Sequence, residues 1–287
     1  MKITVLAPAK INLSLEVLSR RADGYHTVEM VMQTVDLTDT VTVETGAGLR
    51  LQTGTDALPA DEHNTAVKAA KHFCAAAGVP ENFHITLQKA IPMQAGLAGG
   101  SADAAGVLVA LNALCDTPFS TDRLCEIGAK IGADVPFCVR GGTMLATGIG
   151  TDLSLLPPLA DCWLAVVKPP CGISTAWAYA AVDALPFPAA DNRMQAALAS
   201  GDLAAVGAAM SNHFERALHP KEVEHLCEQM RRAGALGACM TGSGSAAVGL
   251  FADQTAAEDC VDRLHPLCET ARVCRPWREG PKILRCE

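Results

Sequence analysis

The sequence predicts an α+β fold with two lobes, an N-terminal mostly antiparallel sheet with helices and a C-terminal α+β lobe. Three observations lead there. Strand-period runs open the chain, whereas helices and strands alternate later, the order expected of α+β architecture. Pro157-Pro158 breaks the chain near its middle, which gives expected domains at 1–157 and 158–287. The 287 residues, 49% of them hydrophobic and 19% charged, are enough to bury a large core.

Taken in order, Ile11, Leu13, Leu15 and Val17 alternate with Asn12, Ser14 and Glu16, the period of a half-buried strand. Lys10 and Asn12 then project to the same side. Asp23-Gly24 marks a turn, and β-rich runs follow at Thr27 to Leu37 and Thr40 to Glu44. The Ala-rich stretch Asn64 to Ala77 reads as a helix stopped by Gly78 and Pro80. Phe83 to Gln88 alternates as a strand, and a glycine loop leads to a helix from about Ala102 to Leu114. A further helix starts at Ser120 and stops at Gly132, and Gly141-Gly142 to Leu156 reads as a hairpin region.

Beyond the proline pair, Cys162 to Val167 is a strand. Helices are expected at Thr175 to Asp183, Asn192 to Ala199, Leu203 to Met210 and Lys221 to Ala233. A strand–glycine loop–strand at 235–251, a helix from about Thr255 to Leu264 and a final strand near Ala271 to Cys274 complete the lobe.

Composition excludes several function classes. A net charge of −8 without basic runs argues against nucleic acid or an anionic membrane as partner. Residues 233–252 carry no charge, but five glycines interrupt them, so they read as a turn between short strands rather than a membrane span. The start of the chain is too short in apolar residues for a signal peptide. Twelve cysteines with no C-x-x-C pair read as reduced thiols of a cytoplasmic protein. Rings are scarce, with only two tyrosines, Tyr25 and Tyr179.

Three segments carry chemistry. In Pro92-Met93-Gln94-Ala95-Gly96-Leu97-Ala98-Gly99-Gly100-Ser101-Ala102, glycines let backbone amides turn toward a ligand just before a helix start, where an anion is favoured. No Gly-Lys-Ser/Thr follows, so this is not the Walker loop, and a packing turn is the competing account. Asp103 is the only charge from Ala90 to Cys115. Second, Thr241-Gly242-Ser243-Gly244 fits the start of a dinucleotide fingerprint, but residues 247–251 read as a strand where that fingerprint needs a helix. A hydroxyl-rich hairpin near a phosphate or sugar, or a plain turn, remains. Third, Asp134 in Gly132-Ala133-Asp134-Val135-Pro136-Phe137 has no charged neighbour, which suits a tuned base or a turn-capping Asp.

Together and in this order, Pro8-Ala9-Lys10-Ile11-Asn12, Pro92 to Ala105 and Thr241-Gly242-Ser243-Gly244 resemble the three motifs of the galactokinase–homoserine kinase–mevalonate kinase superfamily. The element Arg20-Arg21-Ala22-Asp23-Gly24-Tyr25-His26 is similar to the branch that acts on a cytidyl substrate. The resemblance implies the two-lobed kinase fold, with ATP as co-substrate and Mg²⁺ beside it. The implied reaction is phosphorylation of the C2 hydroxyl of a methylerythritol carried on cytidine diphosphate, in non-mevalonate isoprenoid precursor biosynthesis.

It further implies that Pro92 to Ala102 wraps the ATP phosphates and that Asn64 and Val67 line the adenine pocket. Asp134 would be the general base, and Lys10 would orient it and stabilise charge. Tyr25 and His26 would hold the cytosine, with Tyr179 on its other face. Asn12, Thr175, Gly242, Ser243 and Gly244 would contact the rest of the substrate. Relatives often have two hydroxyl residues where this chain has Ser101-Ala102, and an aromatic where Met32 stands. Ser101 is the one candidate Mg²⁺ ligand, and a monomer or weak homodimer is expected. The competing readings are a homoserine or mevalonate kinase-like enzyme, a nucleotide-binding module without chemistry, and an oxidoreductase using the Gly242 loop.

Overall fold

Two long strands dominate the first sheet, β1 (Lys2–Arg20) and β2 (His26–Thr45), paired antiparallel along most of their length. This computed structural model describes residues 1–54, 58–115 and 119–287. The two β-rich runs expected around Thr38-Asp39 are one strand. Asp39 does not break it, because its carboxylate turns inward and accepts the Ala90 and Ile91 amides at 2.6 and 2.9 Å. The β1–β2 register slips between Pro8 and Lys10 and again between Asn12 and Ser14. Such bulges re-aim side chains, and here they bracket Lys10 and Asn12.

β3 (Arg50–Thr53) lies parallel to β4 (Phe83–Gln88), which pairs with β2. Between them runs α1 (Thr65–Ala77), capped by the Asn64 side chain and closed by Gly78. α2 (Gly99–Leu114) crosses β1 and β2 closely: a Cβ on Gly106 would stand 2.8 Å from Val41 Cγ2. This helix starts at Gly99 rather than about Ala102, because the Ala98 carbonyl already accepts the Ala102 amide. α3 (Thr121–Ala129) and the short α4 (Val135–Arg140) follow, then the hairpin β5 (Thr143–Thr147) and β6 (Asp152–Leu155), whose first strand pairs with β2.

The second sheet has the order β11-β7-β10-β9 and is antiparallel throughout. Its strands are β7 (Trp163–Lys168), β9 (Gly237–Met240), β10 (Ala247–Phe251) and β11 (Thr270–Cys274). Around and between them lie α5 (Thr175–Val182), α6 (Arg193–Ser200), α7 (Leu203–Ala209), the two-residue β8 (Ser211–Asn212), α8 (His213–Leu218), α9 (Lys221–Arg232) and α10 (Gln254–Leu264). The strand at Thr270–Cys274 is not the last. β12 (Lys282–Cys286) follows and pairs antiparallel with β1, so the chain returns to its first sheet. β8 also joins β1, in parallel, and draws the second half of the chain onto the strand that carries Lys10.

Apolar residues of both sheets and of α2 form one buried cluster, dominated by Ala, Val, Leu and Ile. Residues 233–252 form β9, a glycine loop and β10. Among the described residues no helix is long and apolar enough to cross a membrane. Among the described residues no disulfide joins two cysteines.

Candidate active site

The site forms where the two glycine loops meet over β1. Lys10 sits on β1 and is only 4% exposed, so it is not a solvated strand-edge lysine. Its Nζ donates to Asn12 Oδ1 at 2.7 Å and lies 3.9 Å from Asp134 Oδ2. Period two places Lys10 and Asn12 on one side of the strand, and the second glycine loop then covers that side. The Asn12 amide donates to Thr241 Oγ1 at 2.9 Å, and the Gly242 amide donates to Asn12 Oδ1 at 3.0 Å. Among the described residues Asn12 Nδ2 is buried without a hydrogen-bond partner. A buried amide in that state points to a ligand acceptor.

The first loop departs from an ordinary packing turn. Gln94, Gly96 and Ala98 take φ values of 52, 74 and 56°, all in the left-handed region. For Gln94 and Ala98 this costs roughly 1–2 kcal/mol each, a strain characteristic of functional loops. Alternation of this kind turns successive amides into one concavity that suits an anion. At its end, Ala98 occupies the cap position of α2 with no side chain to cap it. The first-turn amides of α2 therefore add their donors and dipole to the same cradle. Thr65 Oγ1 donates to the Gly100 carbonyl at 2.7 Å, which sets the start of α1 beside the start of α2.

The loops interlock. A Cβ on Gly96 would stand 2.1 Å from the Thr241 carbonyl oxygen, and one on Gly242 would stand 2.7 Å from the Gly96 oxygen. The Ala246 amide donates to the Ala95 oxygen at 3.2 Å, and the Lys10 amide donates to the Leu97 oxygen at 3.2 Å. Asn212, at the start of α8, donates to the carbonyls of Met240 and Gly242 and holds the second loop from behind. The Gly242 amide is thus taken by Asn12. Ser243 Oγ, 3.0 Å from Thr175 Oγ1, is the polar group the loop offers outward.

Asp134 stands at the start of α4 but makes no capping bond, so capping does not account for it. One third of its side chain is exposed, beside Lys10. Tyr179 is close enough to feel it: burial, and then the Asp134 charge, pushes the Tyr179 phenol up to about 12. The Tyr179 ring stacks on His26, with centroids 4.5 Å apart, and meets Phe214 edge-on at 4.9 Å. Tyr25 is 62% exposed at the β1–β2 turn and enters no ring pair among the described residues. Asn64 uses both ends of its amide within the fold, accepting from the Ala66 amide and donating to the Pro59 carbonyl. Val67 is buried one turn further on. Met32 is fully buried and lies cross-strand from Asn12.

Beneath the first loop lies a cluster that motif reading missed. Lys89 Nζ donates to Asp39 Oδ2 and to Asp103 Oδ2, the latter at 2.5 Å, and both carboxylates are buried. Burial, opposed by Lys89, pushes the Asp103 carboxyl up to about 7. Asp39 holds the loop entry through the Ala90 and Ile91 amides, Asp103 lies in α2 at the exit, and Lys89 joins the two. A lone charge between Ala90 and Cys115 was the signal available in the sequence.

A strained anion cradle, a buried lysine and an adjacent carboxylate on an α+β scaffold define a small-molecule kinase. In agreement, residues 64–142 match the family model "GHMP kinases N terminal domain" and residues 194–267 match "GHMP kinases C terminal". The 4-diphosphocytidyl-2-C-methyl-D-erythritol kinase of Geobacillus sp. (strain WCH70) is 40% identical over 281 residues, 96% of this chain and 97% of its own. The crystal structure of a 4-(cytidine 5'-diphospho)-2C-methyl-D-erythritol kinase superposes with a TM-score of 0.81 at 34% identity, covering 95% of this chain and 98% of that one. Homoserine kinase from Cytophaga hutchinsonii shares the fold, with a TM-score of 0.79 at 23% identity over 99% of this chain and 97% of its own. The chain belongs to the 4-diphosphocytidyl-2-C-methyl-D-erythritol kinase family of the GHMP kinases.

Proposed function

We propose that this chain transfers the γ-phosphoryl group of ATP to the C2 hydroxyl of 4-diphosphocytidyl-2-C-methyl-D-erythritol, giving the 2-phosphate, a step of non-mevalonate isoprenoid precursor biosynthesis. The observation that carries the reading is the buried Lys10 held between Asn12 and Asp134 beside the strained Gln94–Ala98 loop. A module that only bound nucleotide would have no use for a buried lysine beside a carboxylate that caps nothing. The oxidoreductase alternative fails because residues 247–251 are a strand.

In the proposed reaction the C2 oxygen attacks the γ-phosphorus, the bond from that phosphorus to the β–γ bridging oxygen breaks, and ADP leaves. Asp134 orients the hydroxyl and receives its proton. Lys10 positions Asp134 and offsets negative charge near the transferred group. Phosphoryl transfer needs positioning and charge stabilisation more than covalent help, and these side chains supply both. The loop from Pro92 to Ala102, through its amides from Met93 onward, and the α2 start hold the phosphates, and Val67, with the Asn64 backbone, borders the adenine.

Mg²⁺ usually keeps several waters and takes one or two protein oxygens together with substrate phosphates. Among the described residues no group of three or more His, Cys, Asp or Glu gathers to cage an ion. The Ser101 hydroxyl, which makes no side-chain hydrogen bond among the described residues, and Asp134 are the oxygens that fit, and the ion's chemistry would be to neutralise charge on the phosphates.

Tyr25, His26 and Tyr179 form the cytosine site, and Asn12 Nδ2, Thr175 and Ser243 face the remaining polar groups of the substrate. We propose the lobe boundary at Pro157-Pro158, between β6 and β7. The protein is proposed to act in the cytoplasm as a monomer or weak homodimer.

The test is ADP release with the cytidyl substrate, homoserine and mevalonate, for the parent and for Asp134→Asn and Lys10→Ala. Turnover only with the cytidyl compound, and kcat lowered on the order of 10²-fold or more in each variant with ATP binding retained, is expected. Turnover of homoserine in place of the cytidyl compound, or parental kcat in both variants, overturns it.

A further inference from the structure

His26 is not free to choose its tautomer. It begins β2, its side chain is 7% exposed, and its Nε2 lies 2.7 Å from Asp183 Oδ1. Asp183 closes α5, so this contact joins the β1–β2 turn to the second half of the chain. The other Asp183 oxygen, Oδ2, lies 3.3 Å from Arg20 Nη1 across the same turn, which fixes the carboxylate from a second side. Stacking on Tyr179, with the planes 23° apart, and the tilted Phe187 ring 6.5 Å away restrict rotation of the imidazole.

A carboxylate only accepts, so His26 Nε2 carries the hydrogen. In the neutral ring Nδ1 is then an acceptor. That nitrogen makes no hydrogen bond among the described residues, and it is not one of the sealed unpartnered atoms. It therefore opens outward as a bare acceptor whose direction is set by the protein.

Cytosine and uracil differ most at this kind of edge. Cytosine presents an exocyclic amino donor where uracil-type bases present a carbonyl acceptor. An oriented lone pair welcomes the amino group and repels the carbonyl. A site built to bond a donor rejects an analogue that lacks it far better than a site relying on shape. We infer that Asp183 is a positioning residue for base choice: by holding the hydrogen on His26 Nε2, it presents Nδ1 to the exocyclic amino group of the base and so selects cytosine over uracil. This rests on His26 being the edge contact of the cytosine site proposed above. Asp183 itself need not touch the base.

The experiment compares kcat/KM for the cytidyl substrate and for its uridyl counterpart in the parent, His26→Ala, Asp183→Ala and Asp183→Asn. One oriented hydrogen bond corresponds to a preference of about tenfold. Asp183→Ala is expected to erase that preference through the KM for the cytidyl compound, with the KM for ATP unchanged. Asp183→Asn keeps the volume, but its amide can also donate to Nε2. It should lie in between, and it serves as the test if the alanine variant does not fold. The ¹⁵N spectrum of His26 should show Nε2–H in the parent and a mixture of tautomers in the variants, a signature that a purely structural role would not produce. If His26→Ala loses the base preference while both Asp183 variants keep it, the inference falls and the cytosine site stands. If His26→Ala keeps the preference, His26 does not read the base, and both fall.

Discussion

Gly96→Ala is the substitution whose effect follows most directly from the interlocked loops. The new methyl would lie 2.1 Å from the Thr241 oxygen, 3.0 Å from the Thr241 carbonyl carbon and 3.1 Å from the Gly244 nitrogen, all backbone atoms that no rotamer can move. Ordinary contact begins near 3.4 Å, so the loops must part by about 1 Å. A shift of that size at a positioning element costs on the order of 10²-fold in rate. The φ of 74° adds roughly 1–2 kcal/mol of strain for any residue with a Cβ. Gly201→Ala separates the two effects, because Gly201 has nearly the same φ, 70°, and nothing within 4 Å of its Cβ position. Coupled ADP-release kinetics and thermal unfolding, run on both variants, are the assay. Gly96→Ala should lose about 10²-fold in kcat/KM and unfold at a lower temperature than Gly201→Ala, which should keep parental kinetics. Activity within about threefold of the parent, at equal unfolding temperatures for the two variants, refutes the wedge.

Other expectations follow from the rings and the buried charges. Tyr25→Ala should raise the KM for the cytidyl substrate by the equivalent of roughly 1–3 kcal/mol of lost base stacking, and Tyr179→Ala should raise it by releasing the His26 ring that Tyr179 stacks on; both should spare the KM for ATP, and a rise in the ATP constant instead argues against the base site. Lys89→Met leaves the Asp39 and Asp103 carboxylates facing each other without their cation and should destabilise by about 3–5 kcal/mol in urea unfolding. With the Asp103 carboxyl pushed up to about 7 in the fold from 3.8, the native state holds a proton that the unfolded chain releases. The Asp103 contribution to stability therefore falls as pH rises from about 4 to about 7 and is level above that. Urea midpoints of the parent and Asp103→Asn from pH 5 to pH 8 check this: the gap should move in favour of Asn with rising pH, and a constant gap removes the assignment.

Lys10 and Asn12 show what could be read locally. Alternation alone set them on one side of a strand, and that held. What covers that side comes from Thr241 and Gly242, more than two hundred residues away, and no local pattern encodes such a contact. The strand after Gly244 was legible from its β-branched and apolar run, and it settled which glycine motif this was. α4 was missed because a helix of six residues has too few positions to show a period. β12 was missed because Lys282 to Cys286 is exposed and lacks the alternation of a strand with one buried face. Asp103 was visible as an isolated charge, but its partners Lys89 and Asp39 converge only in three dimensions. Asp183 gave no sign at all: at a helix end it reads as an ordinary polar stop, and only its approach to His26 gives it meaning.

The pairing of β12 with β1 bears on how the protein is made. One edge of β1 stays without its β12 partner until Lys282–Cys286 has been synthesised, more than two hundred residues after β1. The strand that carries Lys10 is thus built well before it is sealed. Contacts of such sequence separation slow folding, and an open strand edge invites wrong partners meanwhile. The first lobe cannot finish as an independent bead during translation, and its closure waits on the lobe that follows it.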